Sequence, residues 1–336
     1  MIVTNRIKKY LIKAVLLLLF SATLAGCAVT YPEDAGVSEE TPEEAAGKKS
    51  EVEIKDSISH LPVREEIVLD PDWEYALMSE INSGSATLYR ARSDRKGIVI
   101  GVNAGHGTAG GETARVYCHP DRSPKITSGS NPAGSLKAVA VSAGMIFNDG
   151  ATEAEVALKA AESLRDKLLE EGYDVLMIRD GDDVQLDNVA RTVIANNKAD
   201  CLISLHWDGD GQSHDKGCFY IPVPDEIKDM EPVSLHWKNH ERLGQELIDG
   251  LEKKGCIIYH GRIDPLELTQ TCYATIPAVV VELGNGASSH EDSDISRLTD
   301  GLFIGLDSFC EMYLPQRTWS LKKTPSSGYL IQVIVT

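Results

Sequence analysis

Apolar positions along this chain follow two rhythms. From Gly97 onward, short continuous apolar runs alternate with longer stretches whose apolar residues recur every three or four positions. The runs at 98–102, 174–178, 201–205, 219–223 and 278–283 read as strands, several of them buried on both faces. The stretch 153–170 places Val156, Leu158, Ala161, Leu164, Leu168 and Leu169 on one side, which predicts an amphipathic helix stopped by Gly172. Further helices are expected over 189–197, 240–253 and 294–313. Ahead of Gly97, residues 86–91 alternate like a strand after the turn-like Asn82-Ser83-Gly84. Strands alternating with helices predict an α/β fold. Its single twisted sheet should be mostly parallel or mixed, with helices on both faces. No internal repeat of fixed period is present.

The N-terminus has a different pattern. Arg6, Lys8, Lys9 and Lys13 precede an apolar run over 14–25 that is too short to cross a bilayer comfortably. It reads as a signal peptide over residues 1–26. Leu24-Ala25-Gly26-Cys27 resembles the bacterial lipobox, and that resemblance implies diacylation of Cys27 as the first mature residue. The chain is then expected to be exported and lipid-anchored, on the outer face of the bacterial cell membrane or in the periplasm. Residues 27–66 are acidic, rich in Glu, Ala, Ser, Pro and Lys, and almost free of aromatic side chains. Such a segment buries too little apolar surface to offset its ordering entropy, so a disordered tether is expected, with order beginning near Ile67. Residues 67–96 form an extension packed on the main domain at 97–313. Residues 314–336 form a tail with two strand-like runs about Ser326-Ser327-Gly328, read equally as a hairpin packed on the domain or as an edge without an assigned role.

Charge narrows the function. The net charge of -18 and pI near 4.9 argue against a nucleic-acid partner, whose phosphates require Lys and Arg. Anionic lipid would repel such a surface, so membrane attachment falls to the acyl anchor. Cys118, Cys201, Cys218, Cys256, Cys272 and Cys310 show no CxxC spacing. Export permits disulfides, and buried free thiols are the alternative.

Candidate chemistry gathers where α/β sheets usually carry it, past the carboxyl ends of strands. Asn103-Ala104-Gly105-His106-Gly107, His206-Trp207-Asp208 and Glu282-Leu283-Gly284-Asn285 each follow or end a predicted strand. Two histidines and a carboxylate from separate strands can share one cleft. A hydrolytic zinc site wants about three His, Asp or Glu ligands, and a further carboxylate off the metal to move a proton. From spacing alone, a metal site and a set of structural strand-end residues are equally open.

These motifs, with a helix-opening Glu between the first two and Val280-Val281-Glu282-Leu283-Gly284 as the last, resemble the catalytic domain of zinc-dependent N-acetylmuramoyl-L-alanine amidases. The resemblance spans about residues 97–313. It implies that His106, Glu153 and His206 ligate Zn2+ and that Glu282 is the catalytic acid and base. Glu153 is preferred to Glu155 because apolar residues follow it three and five positions later, Val156 and Leu158. Its other reading is a carboxylate at a helix N-terminus, with Thr152 as the cap. Arg179-Asp180 and the helix pattern from Leu186 through Arg191 to Asn196 also match, and Arg191 is expected to satisfy carbonyls or a carboxylate. The chain departs from the family in a long insertion over 107–149, which would cover or widen the cleft. Within or near it, Glu112 and His119 are outside candidates as ligands. Trp207, Asp208 and Asn285 are possible cleft residues. Trp207 would stack on a sugar or pack under the sheet. His214, His236, His240 and His260 are read as surface or core residues.

The resemblance implies hydrolysis of the amide between N-acetylmuramic acid and the L-alanine of the stem peptide in peptidoglycan, in cell wall remodelling; any activator protein is unnamed by the sequence. The rival readings are a related zinc exopeptidase, an inactive cell-wall-binding lipoprotein and a solute-binding lipoprotein. The last normally needs two lobes, and one sheet pattern is present.

Overall fold

The computed structural model describes residues 63–129 and 131–314, and the backbone of 317–323 and 329–335. The signal peptide, Cys27 and nearly all of the expected tether lie outside these residues. Sixteen segments carry the architecture. They are β1 (Arg64–Val68), β2 (Ser85–Tyr89), β3 (Val99–Ala104), β4 (Arg115–Tyr117), β5 (Lys137–Val139), α1 (Glu153–Glu170), β6 (Asp174–Met177), α2 (Asn188–Lys198), β7 (Cys201–Asp208), β8 (Phe219–Tyr220), α3 (Val233–Lys253), α4 (Thr269–Tyr273), β9 (Ala278–Asn285), α5 (Asp292–Tyr313), β10 (Arg317–Lys323) and β11 (Tyr329–Val335).

Seven strands make one mixed sheet in the order β1-β2-β6-β3-β7-β9-β8. The central strands β6, β3, β7 and β9 run parallel, and the additions at both edges are antiparallel. The expected extension is therefore part of the sheet, and its first strand begins at Arg64, slightly before the expected start of order. Tyr89 at the end of β2 donates from its hydroxyl to Asp180 Oδ2 at 2.7 Å, tying this edge to the loop after β6.

Strand alternation divides the core. Ile100, Val102, Ile203, Leu205, Val279 and Val281 face α1, α3 and α5. Leu176, Leu202 and Ala278 face the opposite side, with Ala190, Ile194 and Ala195 of α2. The α2 helix continues this packing through Val189 and Val193 against Cys272 and Tyr273 of α4. Helices thus cover both faces.

The α1 helix forms where its apolar spacing predicts it. Thr152 caps it in a reciprocal box with Glu155. The α3 helix is longer than expected, because it opens at Val233 directly after Pro232 rather than at His240. Its first turn leaves Leu235 largely exposed, so the apolar rhythm that marks the later turns is absent there. The strand expected over 219–223 pairs only at Phe219 and Tyr220. All six described cysteines are buried free thiols. In the tail, β10 and β11 pair as an antiparallel two-stranded sheet. No described helix is long and apolar enough to cross a membrane.

Candidate active site

Three side chains from three elements converge beyond the carboxyl ends of the central strands. His106 lies just after β3, Glu153 opens α1, and His206 lies near the end of β7. The Nε2 atom of His106 is 2.8 Å from Glu153 Oε1, and His206 Nδ1 is 2.9 Å from that same oxygen. The two ring nitrogens are 3.1 Å apart. Among the described residues, this is the one His/Cys/Asp/Glu group whose donor atoms lie close enough together to hold a metal ion. Neutral imidazole nitrogens and a carboxylate oxygen are all electron-pair donors toward that point. Their mutual approach is favourable only when a proton or a cation stands among them, and two nitrogens with one oxygen suit zinc. The donor set therefore fits the implied metal.

The backbone around these three side chains leaves no room for another. A Cβ on Gly105 would lie 2.4 Å from His206 Cε1. A Cβ on Gly144 would lie 2.8 Å from His106 Cδ2 and 2.9 Å from Glu153 Oε2. His106 itself adopts φ 64, the left-handed region that non-glycine residues rarely occupy. Two buried arginines hold it there. Arg191 donates to the carbonyls of His106 at 2.6 Å and Ala104 at 3.1 Å, and to Asn103 Oδ1 at 3.0 Å. Arg179 donates to the carbonyls of Gly105 at 3.0 Å and of Ala154 in α1 at 2.7 Å. Burial pulls both guanidinium groups below their usual range, to about 10 for Arg179 and about 9 for Arg191, and both stay cationic at neutral pH. Arg191 thus serves backbone carbonyls, one of its expected roles.

The long insertion is built into this centre. It contains the antiparallel pair β4 and β5. The Ser142 carbonyl accepts from His106 Nδ1 at 2.8 Å, which leaves the Nε2 lone pair facing the cluster. Met145 N donates to Glu153 Oε2 at 2.9 Å, while Trp207 N donates to Glu153 Oε1 at 3.1 Å. Burial alone would raise the Glu153 pKa, but its bonds to both histidines hold the carboxyl well below its ordinary range. Burial and the adjacent His106 lower the pKa of His206, although Glu153 opposes this, so its ring favours the neutral form.

Glu282 stands beside the cluster. It pairs in register with His206 across the parallel strands β7 and β9, and both line a cleft of about 330 Å³. Its Oε2 atom is buried without a hydrogen-bond partner. Burial, then the charges of Glu153 and Asp208, push its pKa well above the usual carboxylate range. Lys125, Val141 and Ser142 from the insertion form one wall of the cleft, and Leu266–Gln270 forms another.

Not every expected residue is in this cleft. Strand alternation that turns His206 into the cleft turns Trp207 away. The indole is only 1% exposed and meets Phe147 edge-on at a centroid distance of 5.9 Å, so Trp207 is a core residue, not a cleft residue. Asn285 is fully buried after a register shift in β7 and β9. It donates to Asp210 Oδ1 at 3.1 Å and to the His214 carbonyl at 3.0 Å, so it braces a loop. Asp208 forms an ion pair with Lys216 and reaches Glu282 through its charge alone. Glu155 is spent on the capping box, and Glu112 is exposed. His119 pairs with Glu267 at 2.7 Å. His214 and His260 are exposed, His236 is half-buried and His240 is core. Sequence reasoning missed Ser142 and Lys125, which lie in an insertion without clear periodicity, and Gln270, which lies in the five-residue helix α4, too short to show one.

The family model described as N-acetylmuramoyl-L-alanine amidase matches residues 100–300. Comparison with curated protein sequences finds no match. Among solved structures, the N-acetylmuramyl-L-alanine amidase Ami1 from Mycobacterium smegmatis has 18% identity and a TM-score of 0.51, covering 65% of this chain and 99% of its own. Ami1 from Mycobacterium abscessus, in its apo form, has 20% identity and a TM-score of 0.49, covering 63% of this chain and 98% of its own. The first of these likenesses supports a shared fold.

Proposed function

The chain belongs to the N-acetylmuramoyl-L-alanine amidase family and is a peptidoglycan amidase, and from that premise we propose a zinc-dependent mechanism with assigned residues. His106, Glu153 and His206 hold the zinc ion, and Glu282 moves the proton. The observation that carries this reading is the convergence of His106 Nε2, Glu153 Oε1 and His206 Nδ1 beside Glu282 in one cleft.

When bound, zinc supplies Lewis-acid charge and an acidified water. The protein supplies the rest. Glu282 accepts a proton at its carboxylate as water attacks the lactyl carbonyl of muramic acid. It then delivers that proton to the L-alanine nitrogen as the amide breaks. Its unpartnered Oε2 leaves an oxygen available for both transfers. The Ser142 carbonyl fixes the His106 tautomer, and the Met145 and Trp207 amides fix the Glu153 carboxylate. The ligand atoms are thereby set before substrate arrives.

Residues 1–26 act as the export signal and Cys27 as the lipid anchor, so the enzyme works outside the membrane that holds it. Digestion of purified peptidoglycan, followed by mass spectrometry of the products, tests the reading. Free stem peptides beginning with L-alanine are expected, with release stopped by chelator and restored by zinc. Cleavage at another bond, or full activity after metal removal, overturns it. The first outcome would favour the exopeptidase alternative.

A further inference from the structure

The cleft holds two hydrogen-bond donors that the proposed mechanism does not use. Lys125, on the insertion, is only 5% exposed and lines the same cleft as Glu282 and both histidines. No hydrogen bond or ion pair reaches its ammonium among the described residues. A cation on a side chain this far buried is normally found with a partner. Gln270 of α4 is 8% exposed and lines the same cleft. Its side-chain oxygen accepts from Ser204, which in turn accepts from Asn103 Nδ2 at 2.7 Å. That chain fixes the amide's orientation, yet Nε2 is buried and donates to nothing.

The nearby carboxylate is already committed. Glu267 accepts from Thr127 N at 2.8 Å and Ile126 N at 3.0 Å, and lies 2.7 Å from His119 Nε2. These contacts pin the residues that follow Lys125. The backbone of Lys125 is itself tied at both ends, donating to Ser135 O at 2.9 Å and accepting from Gly134 N at 2.8 Å. The ammonium is therefore presented from a fixed backbone and not from a loose loop.

We infer that Lys125 and Gln270 form a carboxylate subsite that selects substrates by an acidic residue of the stem peptide. This rests on the amidase reading. The chemistry of the bond sets the side: the lactyl carboxyl of the sugar is consumed in the amide that is cut, so free carboxylates lie on the peptide side. A cation on a largely buried side chain and a fully buried amide donor, lining one cleft, would bind such a group through charge-assisted hydrogen bonds. On a chain of net charge -18, a buried lysine also offsets the repulsion that an anionic peptide meets on entry.

The test uses two synthetic N-acetylmuramoyl tripeptides that differ only in whether the second residue carries a carboxylate or a carboxamide. The zinc-loaded wild type is expected to favour the carboxylate, in kcat/KM, by about ten- to a hundred-fold. Lys125→Met should collapse that ratio toward one, Gln270→Leu should reduce it, and Lys125→Arg should keep most of it. Thermal melting of each variant establishes that it is folded. A wild type that cuts both substrates equally well, or a folded Lys125→Met with an unchanged ratio, overturns the subsite and leaves the amidase standing. A wild type that cuts neither overturns the amidase reading and the subsite with it.

Discussion

His206 and Glu282 are register partners on adjacent parallel strands, so the sheet fixes the distance between the proposed zinc ligand and the proposed proton carrier beside it. Residues paired across parallel strands point to the same face. The two side chains are therefore positioned by backbone pairing and not by a flexible loop. Glu282→Gln keeps the shape and removes the basic carboxylate. It should lower kcat by about a hundredfold or more while zinc stays at one per chain by elemental analysis. Wild-type turnover in that variant would remove Glu282 from the mechanism.

Gly105 gives a sharper test of the ligand set, because it touches no substrate group in the proposed scheme. The extra methyl of Gly105→Ala would overlap the His206 ring, which must swing aside. Zinc affinity, measured by competition with a chelator, is expected to fall more than tenfold with the circular dichroism spectrum retained. Unchanged affinity would mean that His206 is not a ligand.

His240 predicts a pH dependence that lies away from the metal. It is 2% exposed in α3, and its Nδ1 accepts from the Ala278 amide at 2.9 Å. Burial, with the neighbouring His236, lowers its pKa to about 3. Below about pH 6.5 the unfolded chain then binds a proton that the folded chain refuses. Stability should fall as pH drops from 6.5 toward 3, by up to about 1.4 kcal/mol per unit from this group. His240→Gln keeps an acceptor and cannot titrate, so urea unfolding at pH 7 and pH 5 should show a smaller difference than in wild type. An equal difference would mean that the native state accommodates the charge.

Cys27 carries the membrane prediction. Cys27→Ser should move the protein from the membrane fraction to the soluble exported fraction and abolish palmitate labelling. Persistent labelling would place the lipid on another residue.

Much of this was legible in the sequence, for reasons visible in particular elements. Continuous runs such as 201–205 and 278–283 are central strands buried on both faces, where pattern and packing agree. The α1 helix was legible to the residue because a capping box and an apolar stripe coincide. Strand β1 was not, since four of its five residues are at least partly exposed and its place comes from pairing with β2. The orientation of Trp207 was within reach: alternation from His206 already sends it to the other face. The Ser142 carbonyl that sets His106 was beyond reach, because a backbone acceptor leaves no mark in the side-chain pattern.

The insertion at 107–149 gives the candidate metal site a carbonyl and a backbone amide while lining the cleft with Lys125 and Val141. One stretch of chain thus serves two purposes that an engineer would want to adjust separately. Replacing it to admit a different peptide would also withdraw the groups that orient His106 and Glu153. If the proposed zinc site holds, substrate range and metal retention are coupled through this loop, and a loop exchange should alter both unless residues 142–145 are kept.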